Sequence, residues 1–164
     1  MSSNTYDNQY ITFRQGNKND LQEMRKLFTE TIEAICRNDY DEKQRKAWTC
    51  GAENKERWLK VINEQYVLVA VLQNKIVGFC TLDQGNYIDL LFVHKDHQQK
   101  RIASALYEQI EEKAIEQNSI SLTADVSKTA KLFFEKKGFY TLKEQIVSVN
   151  YVDLINYKMI KNLR

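Results

Sequence analysis

A chain of 164 residues, 43% hydrophobic and 11% aromatic, can bury one core but is short for two, so a single domain over residues 1–164 is expected. The 24 lysines and arginines nearly cancel 22 aspartates and glutamates, and the resulting net charge of +2 argues against a broad basic surface for nucleic acid or membrane. Residues 1–9, read as a flexible N-terminus, lack the basic-then-apolar order of a secretory leader, and three cysteines at unrelated spacings suit a reducing compartment, so a cytoplasmic protein is expected.

Residues 10–15 alternate Ile11 and Phe13 with Thr12 and Arg14, the period of a half-buried strand. Asp20 is then expected to cap a helix over 21–38, where Leu21, Met24, Leu27, Phe28, Ile32 and Ile35 recur at helical spacing. Two short helices follow at 41–49 and 54–64, divided at Cys50-Gly51. Continuous apolar runs at 66–72, 76–82 and 87–93, separated by Asn74-Lys75 and Gly85-Asn86, predict a three-strand meander. One charge, Asp89, interrupts the third run.

Ile102, Leu106, Ile110 and Ala114 fall four apart, so a helix of about four turns follows that strand directly. A strand at 120–126 leads to a helix capped by Ser127 and stopped at Gly138, and strands at 139–147 and 152–161 complete the order. The whole reads as an α/β (α+β) domain: a mixed, mostly antiparallel sheet of six to seven strands with helices on both faces.

Chemistry concentrates between residues 87 and 116. A loop that runs into a helix leaves backbone N–H groups free, and with the helix dipole these form an anion site. Lys100 and Arg101 add formal positive charge there. His94, Asp96 and His97 supply no third strong ligand on a regular element, so they are read as solvated loop residues, and no metal is expected. Cys80 has no local activating partner and is read as a buried thiol.

The stretch from Gln98 to Ala103 resembles the coenzyme A motif of the GNAT N-acetyltransferase superfamily: Gln or Arg, two residues, Gly, one residue, Gly or Ala. Gln98 and Ala103 match the outer positions, Arg101 stands where the pattern has glycine, and Val93-His94-x-Asp96 before and Ala105-Leu106 after are also similar. A second segment, Ser127-x-x-Ala130 through Phe133-Phe134-Glu135 to Gly138-Phe139, resembles the next helix of the family, with Ser127 in place of an asparagine cap and Phe134 in place of a tyrosine. Tyr40, Gln44, Ala47 and Trp48 resemble the Tyr-x-x-x-Gln-x-x-Ala-Trp segment of one subgroup, whose first helices line the acceptor pocket.

The resemblance implies the GNAT fold and an enzyme that moves an acetyl group from acetyl-CoA, as co-substrate, to a primary amine of a small molecule or peptide by direct attack in a ternary complex. Its coenzyme site would comprise Leu91, Phe92, Val93, Gln98, Gln99, Lys100, Arg101, Ile102, Ala103, Ser104, Ser127, Phe133 and Phe134, with the backbone of Leu91 and Val93 donating. Tyr40, Gln44 and Trp48 would line the acceptor side. Asp89 is the expected base, acting through water on an amine whose pKa of about 10.4 keeps it protonated. Phe134 lacks the hydroxyl that protonates the leaving thiolate in many members, so Tyr140 is the expected donor, with Tyr40, Tyr107 and Tyr151 as alternatives. Nucleic acid and membrane are not expected partners, and a homodimer is left open. Two other classes stay in view: a non-catalytic acetyl-CoA sensor, and nucleic-acid binding through Lys95, Lys100 and Arg101.

Overall fold

The computed structural model describes residues 10–164, and the expected flexible segment 1–9 lies outside them. Strand β1 (Thr12–Gln15) leads into helix α1 (Leu21–Ile35), which is followed by α2 (Glu42–Thr49) and α3 (Lys55–Glu64). Three strands then form the meander, β2 (Tyr66–Leu72), β3 (Lys75–Asp83) and β4 (Tyr87–Val93). Helix α4 (Ile102–Glu116), strand β5 (Ser121–Ser127), helix α5 (Lys131–Lys136) and the hairpin β6 (Tyr140–Val149) and β7 (Val152–Asn162) complete the chain.

The seven strands make one sheet in the order β1-β2-β3-β4-β5-β7-β6. Every neighbouring pair is antiparallel except β4 and β5. Alternation sorts β2 onto two cores: Val67 and Val69 pack with Met24, Phe28, Trp58 and Val61 of α1 and α3, while Leu68 and Ala70 pack with Ile102, Leu106 and Ile110 of α4. Helices on both faces explain why β2 and β3 read as unbroken apolar runs instead of alternating ones. Gly78 lets α4 lie tightly on β3: an added Cβ there would stand 3.1 Å from Leu106 Cδ1 and 3.2 Å from Ile102 Cγ2.

Two expected caps are corrected. Asp20 does not cap α1 with its side chain. Asn17 instead caps a 3-10 turn over Lys18–Asp20 by accepting from the Asn19 N–H at 2.9 Å, and Asp20 closes the capping box by accepting from the Asn17 N–H at 2.8 Å. The second Asp20 partner, the Arg14 guanidinium at 2.8 and 2.9 Å, ties β1 to the start of α1. Ser127 is likewise the last residue of β5 and not a helix cap. Its hydroxyl accepts from the Ala130 N–H at 3.1 Å across a turn, so α5 begins only at Lys131. The first helix also stops at Ile35, short of the expected Asn38.

Arg14 is the main reason that the buried Asp20 carboxyl lies below its ordinary value of 3.8. Stability from this pairing is therefore complete above that value and is lost as pH falls through the lower folded-state value. Asp20→Asn should cost about 1–2 kcal/mol at pH 7. Urea unfolding at a series of pH values should show the difference from wild type closing only in strong acid.

Candidate active site at the fork between β4 and β5

The site begins with a register fault. Thr81 of β3 pairs with Leu90 of β4, but the next rung joins Leu82 to Ile88, so Asp89 is an extra residue, a β-bulge. The buried Thr81 hydroxyl accepts from the Leu90 N–H at 3.1 Å and repairs the ladder there. A one-residue slip moves every later side chain to the other face. Accordingly Ile88 lies in the core beneath α4, yet Leu90 and Phe92 lie beside α1 and α3, and Leu91 and Val93 return to the α4 side.

At the same point β4 leaves β5. Their parallel pairing holds only at Tyr87↔Thr123 and Ile88↔Ala124, whereas β5 stays paired with β7 as far as Ser127↔Asn156. The strands thus form a fork that opens from Asp89 onward. The His94 N–H donates to the Val77 carbonyl of β3 at 2.8 Å. Because backbone groups alternate direction along an antiparallel ladder, the N–H groups of Leu91 and Val93 face the open side. The Val93 carbonyl, on that same side, accepts from Thr31 Oγ1 at 3.0 Å and from Gln98 Nε2 at 2.7 Å, which folds the following loop back over the strand end.

That loop reaches α4 through two left-handed residues, Gln99 at φ +58° and Arg101 at φ +64°. Arg101 is the N-cap of α4 and provides no side-chain acceptor, and no acidic residue stands in the first turn. The leading amides of α4 are therefore free to meet an anion. An arginine in this conformation costs about 1–2 kcal/mol relative to right-handed backbone, so the chain keeps a glycine-like turn with a cationic residue in it.

A cavity of about 530 Å³ fills the fork. Leu91, Phe92, Val93, Gln98 and Ala103 line it from β4, the following loop and α4, and Ser127, Phe133 and Phe134 from the β5 side. Gln99, Lys100 and Arg101 are exposed on the loop outside this lining, Ile102 is buried in the core, and Ser104 lies in the first turn of α4. Tyr40 and Trp48 form the opposite wall, their rings 5.4 Å apart and edge to face, with Trp48 6.4 Å from Phe92. Gln44 is not in the lining. Its Oε1 accepts from the Asp41 N–H at 3.0 Å and its Nε2 donates to the Asp153 carbonyl at 3.0 Å, pinning α2 to β7.

Asp89 lies at the vertex and is fully engaged. Arg57 donates to both oxygens at 2.9 and 3.0 Å, and Gln65 Nε2 donates at 2.8 Å. The hydrogen bond to Asp89 raises the Arg57 pKa. Tyr140 is half exposed, opposite Ile160, at the end of β6 remote from the cleft residues Val147 and Val149. Seven residues of strand separate it from Val147, roughly 23 Å. Tyr107, on the inner face of α4, is buried in the core, its pKa raised chiefly by that burial, and Tyr151 is fully exposed in the hairpin turn. Tyr40 lines the cavity, but its hydroxyl donates to the Ile155 carbonyl at 2.6 Å and accepts from the Lys128 N–H at 3.0 Å. Burial pushes its pKa up to about 12.

The sequence reading does not single out Arg57, Tyr87 and Asp125, which are among the polar residues of the cavity. The Tyr87 hydroxyl donates to Asp125 Oδ2 at 2.9 Å, and burial raises its pKa. The signal for Asp125 was its parity, since alternate residues Leu122, Ala124 and Val126 are the apolar set of that strand.

The family model of the acetyltransferase (GNAT) domain matches residues 36–161, which span the fork, its loop and both walls. The chain belongs to the GNAT acetyltransferase family. It is an acyltransferase, 32% identical over 149 residues to the uncharacterized N-acetyltransferase YafP of Escherichia coli K12, covering 91% of this chain and 94% of that one. Among solved structures, it is similar to a GCN5-related N-acetyltransferase from Rhodopseudomonas palustris, with TM-score 0.90, 31% identity, and coverage of 93% of this chain and 96% of that one. The PaiA N-acetyltransferase of Thermoplasma acidophilum, solved in complex with coenzyme A, shares the fold at TM-score 0.74 and 18% identity, over 93% and 98% of the two chains. Among the described residues of this GNAT chain, no group of three or more His, Cys, Asp or Glu is placed to hold a metal, and no helix is long and apolar enough to cross a membrane.

The Tyr40 clamp joins the α1–α2 connection to both β7 and the turn after β5. Tyr40→Phe leaves a backbone carbonyl and an N–H without their partner and should destabilise the acetyltransferase by about 1–3 kcal/mol, read by urea denaturation. Arg101→Gly should instead leave stability unchanged or raise it by up to about 1 kcal/mol, because relief of left-handed strain offsets the greater freedom of glycine in the unfolded chain.

Proposed function

We propose that the chain transfers the acetyl group of acetyl-CoA to a primary amine of a small molecule or peptide, by direct attack of the amine in a ternary complex. One observation carries this reading: beyond Asp89, strand β4 turns the N–H groups of Leu91 and Val93 toward a cavity instead of toward β5. An extended chain with amide groups of its own, such as pantetheine, can add to such an edge as a strand would. The free first turn of α4 suits the diphosphate, and Lys100 and Arg101 supply the positive charge. Phe133 and Phe134 give the apolar flank on the α5 side, and Tyr40 and Trp48 that on the acceptor side.

Acetyl-CoA brings an activated thioester, and the protein residues bind, orient and shield. The outward amides of β4 can stabilise negative charge on the carbonyl oxygen during attack. Because Phe134 has no hydroxyl and the Tyr40 proton is committed to the Ile155 carbonyl, we assign no side-chain acid to the leaving thiolate. A thiol of ordinary acidity, with a pKa near 8.5, can leave as the thiolate and take its proton from water. Three free cysteines, Cys36 and Cys80 buried, fit the cytoplasm as its place of work.

The test is acetyl-CoA titration by calorimetry, followed by thiol release over a panel of amines. Micromolar binding with amine-dependent release is expected; binding without release for any amine would make the protein a sensor, and absence of binding would overturn the reading. Arg101→Ala should weaken acetyl-CoA binding by about three- to tenfold at low salt and less at high salt, with kcat unchanged. An effect confined to the amine KM would contradict the role given to the loop.

A further inference from the structure

Two carboxylates stand at the vertex of the fork. Asp89 is one residue beyond the last paired position of β4, Ile88, and Asp125 is one beyond its partner in β5, Ala124. Both line the cavity. Their partners differ in charge. Asp89 is neutralised by the Arg57 guanidinium, whereas Asp125 accepts only from neutral groups, Tyr87 Oη at 2.9 Å and Gln145 Nε2 at 2.9 Å. Among the described residues no cation lies within ion-pair distance of Asp125. The other charged groups on its face are the Asp89–Arg57 pair, Lys158 opposite it on β7, and Lys143 beyond that on β6, both lysines exposed.

Two carboxylates in different surroundings take different roles. We propose that Asp125, rather than Asp89, receives the protonated acceptor and takes its proton, which makes the acceptor a primary alkylammonium whose apolar or aromatic body lies against Trp48 and Phe92. This rests on the acetyl-transfer reading above. The face is right: Leu122, Ala124 and Val126 point into the core beneath α4, so Asp125 points to the side of α1, α3, Trp48 and Phe92. The reach is also right. Leu91, with its outward amide, is two residues beyond Asp89, roughly 7 Å along the strand. A hydrogen bond of about 3 Å from carboxylate to nitrogen and an approach of about 3 Å from nitrogen to carbonyl carbon span nearly that distance.

In the step itself the ammonium gives one proton to Asp125, and the freed lone pair forms the carbon–nitrogen bond. The carbon–sulfur bond breaks with its electrons on sulfur. The nitrogen then loses its second proton, so that amide, coenzyme thiol and one proton to solvent result. Tyr87 and Gln145 are positioning residues: they hold the carboxylate at the vertex. Asp89 and Arg57 fix the bulge that opens it.

The test compares wild type, Asp125→Asn, Asp125→Glu and Asp89→Asn with acetyl-CoA and three amines: 2-phenylethylamine and n-hexylamine, charged at neutral pH, and aniline, which is neutral. Wild type should acetylate the two cations with kcat/KM nearly level between about pH 7 and 9, since the site accepts the ammonium and removes its proton. Asp125→Asn should lower kcat/KM for both cations by about 100-fold at pH 7 and make it climb about tenfold per pH unit, because only neutral amine from solution then reacts. It should change acetyl-CoA affinity less than twofold and lower aniline turnover by far less than that of the two cations, with no new pH slope for aniline. Asp125→Glu should restore a level profile at reduced rate, and Asp89→Asn should keep one. Equal pH slopes in wild type and Asp125→Asn, or the new slope in Asp89→Asn instead, would overturn the assignment to Asp125 while leaving acetyl transfer standing. Wild type that binds no acetyl-CoA or releases no thiol with any amine would overturn the acetyl-transfer reading, and this assignment with it.

Discussion

The single extra residue at Asp89 is what opens the cavity between β4 and β5. Without it, β4 would continue in register between β3 and β5, and both edges of the strand would be closed by ladder hydrogen bonds. With it, the strand bends, its twist increases, and its inner edge swings away from β5 after the Ile88↔Ala124 pair. A buried backbone amide without a partner costs about 1–3 kcal/mol, so such an opening persists only if water or a ligand enters it, or if side chains cross it. The Val93 carbonyl shows the last solution, taken up by Thr31 and Gln98. The Leu91 and Val93 amides face the cavity.

The bulge also divides chemistry between the two faces. Its register slip sends Leu91 and Val93 toward α4 and Leu90 and Phe92 toward α1 and α3. One strand thereby sends side chains from the cavity edge into both cores of the domain. The extra side chain needs a home as well, and the bidentate pair with Arg57 of α3 supplies it. This pair is half exposed on the arginine side, so its worth as net stability is small. What it does is geometric: it fixes the bulge against α3, whose Arg57 and Trp58 also line the cavity.

Much of this was legible in the chain and some was not, for physical reasons. Elements with a strong apolar pattern, the continuous runs of β2 and β4 and the helical spacing of α1 and α4, lie where that pattern puts them, apart from the early end of α1 at Ile35, because burial on one or two faces is what the pattern encodes. The caps at Asp20 and Ser127 were misread because both side chains bond to turns beside the helices instead of to the helices, a choice set by Arg14 in one case and by the length of β5 in the other. Asp89 was visible as a lone charge in an apolar run, but its partners are 24 and 32 residues away and no local pattern announces them. Gln44 and Tyr140 show the same limit from the other side: matching residue types did not reveal that one is spent on a backbone carbonyl and the other lies at the far end of β6, outside the cavity lining. Asp125 stands in plain alternation on β5 and acquires meaning only when its register with β4 is known.

Arg101 and Phe134 mark where the chain departs from the motifs that it otherwise follows, and the two departures differ in kind. At Arg101 the backbone conformation is retained at φ +64° and only the side chain changes, so the free amides of α4 survive and a cation is added beside them. At Phe134 the position is retained and a functional group is lost: the ring is buried against Phe133 and Phe139, with centroids 5.5 and 5.0 Å away, and carries no proton to give. The first kind of feature, backbone groups held in a set geometry, survives a change of side chain. Proton delivery depends on the second kind, and among the described residues the two tyrosines that line the cavity are both committed: Tyr40 is saturated, and Tyr87 donates to Asp125. In the proposed reaction the cavity thus offers carboxylates to take a proton from the acceptor and, among the described tyrosines, no uncommitted hydroxyl to give one to the leaving group. That asymmetry suits a thioester, whose thiolate leaves readily at neutral pH, and an amine, which does not react until it has been deprotonated.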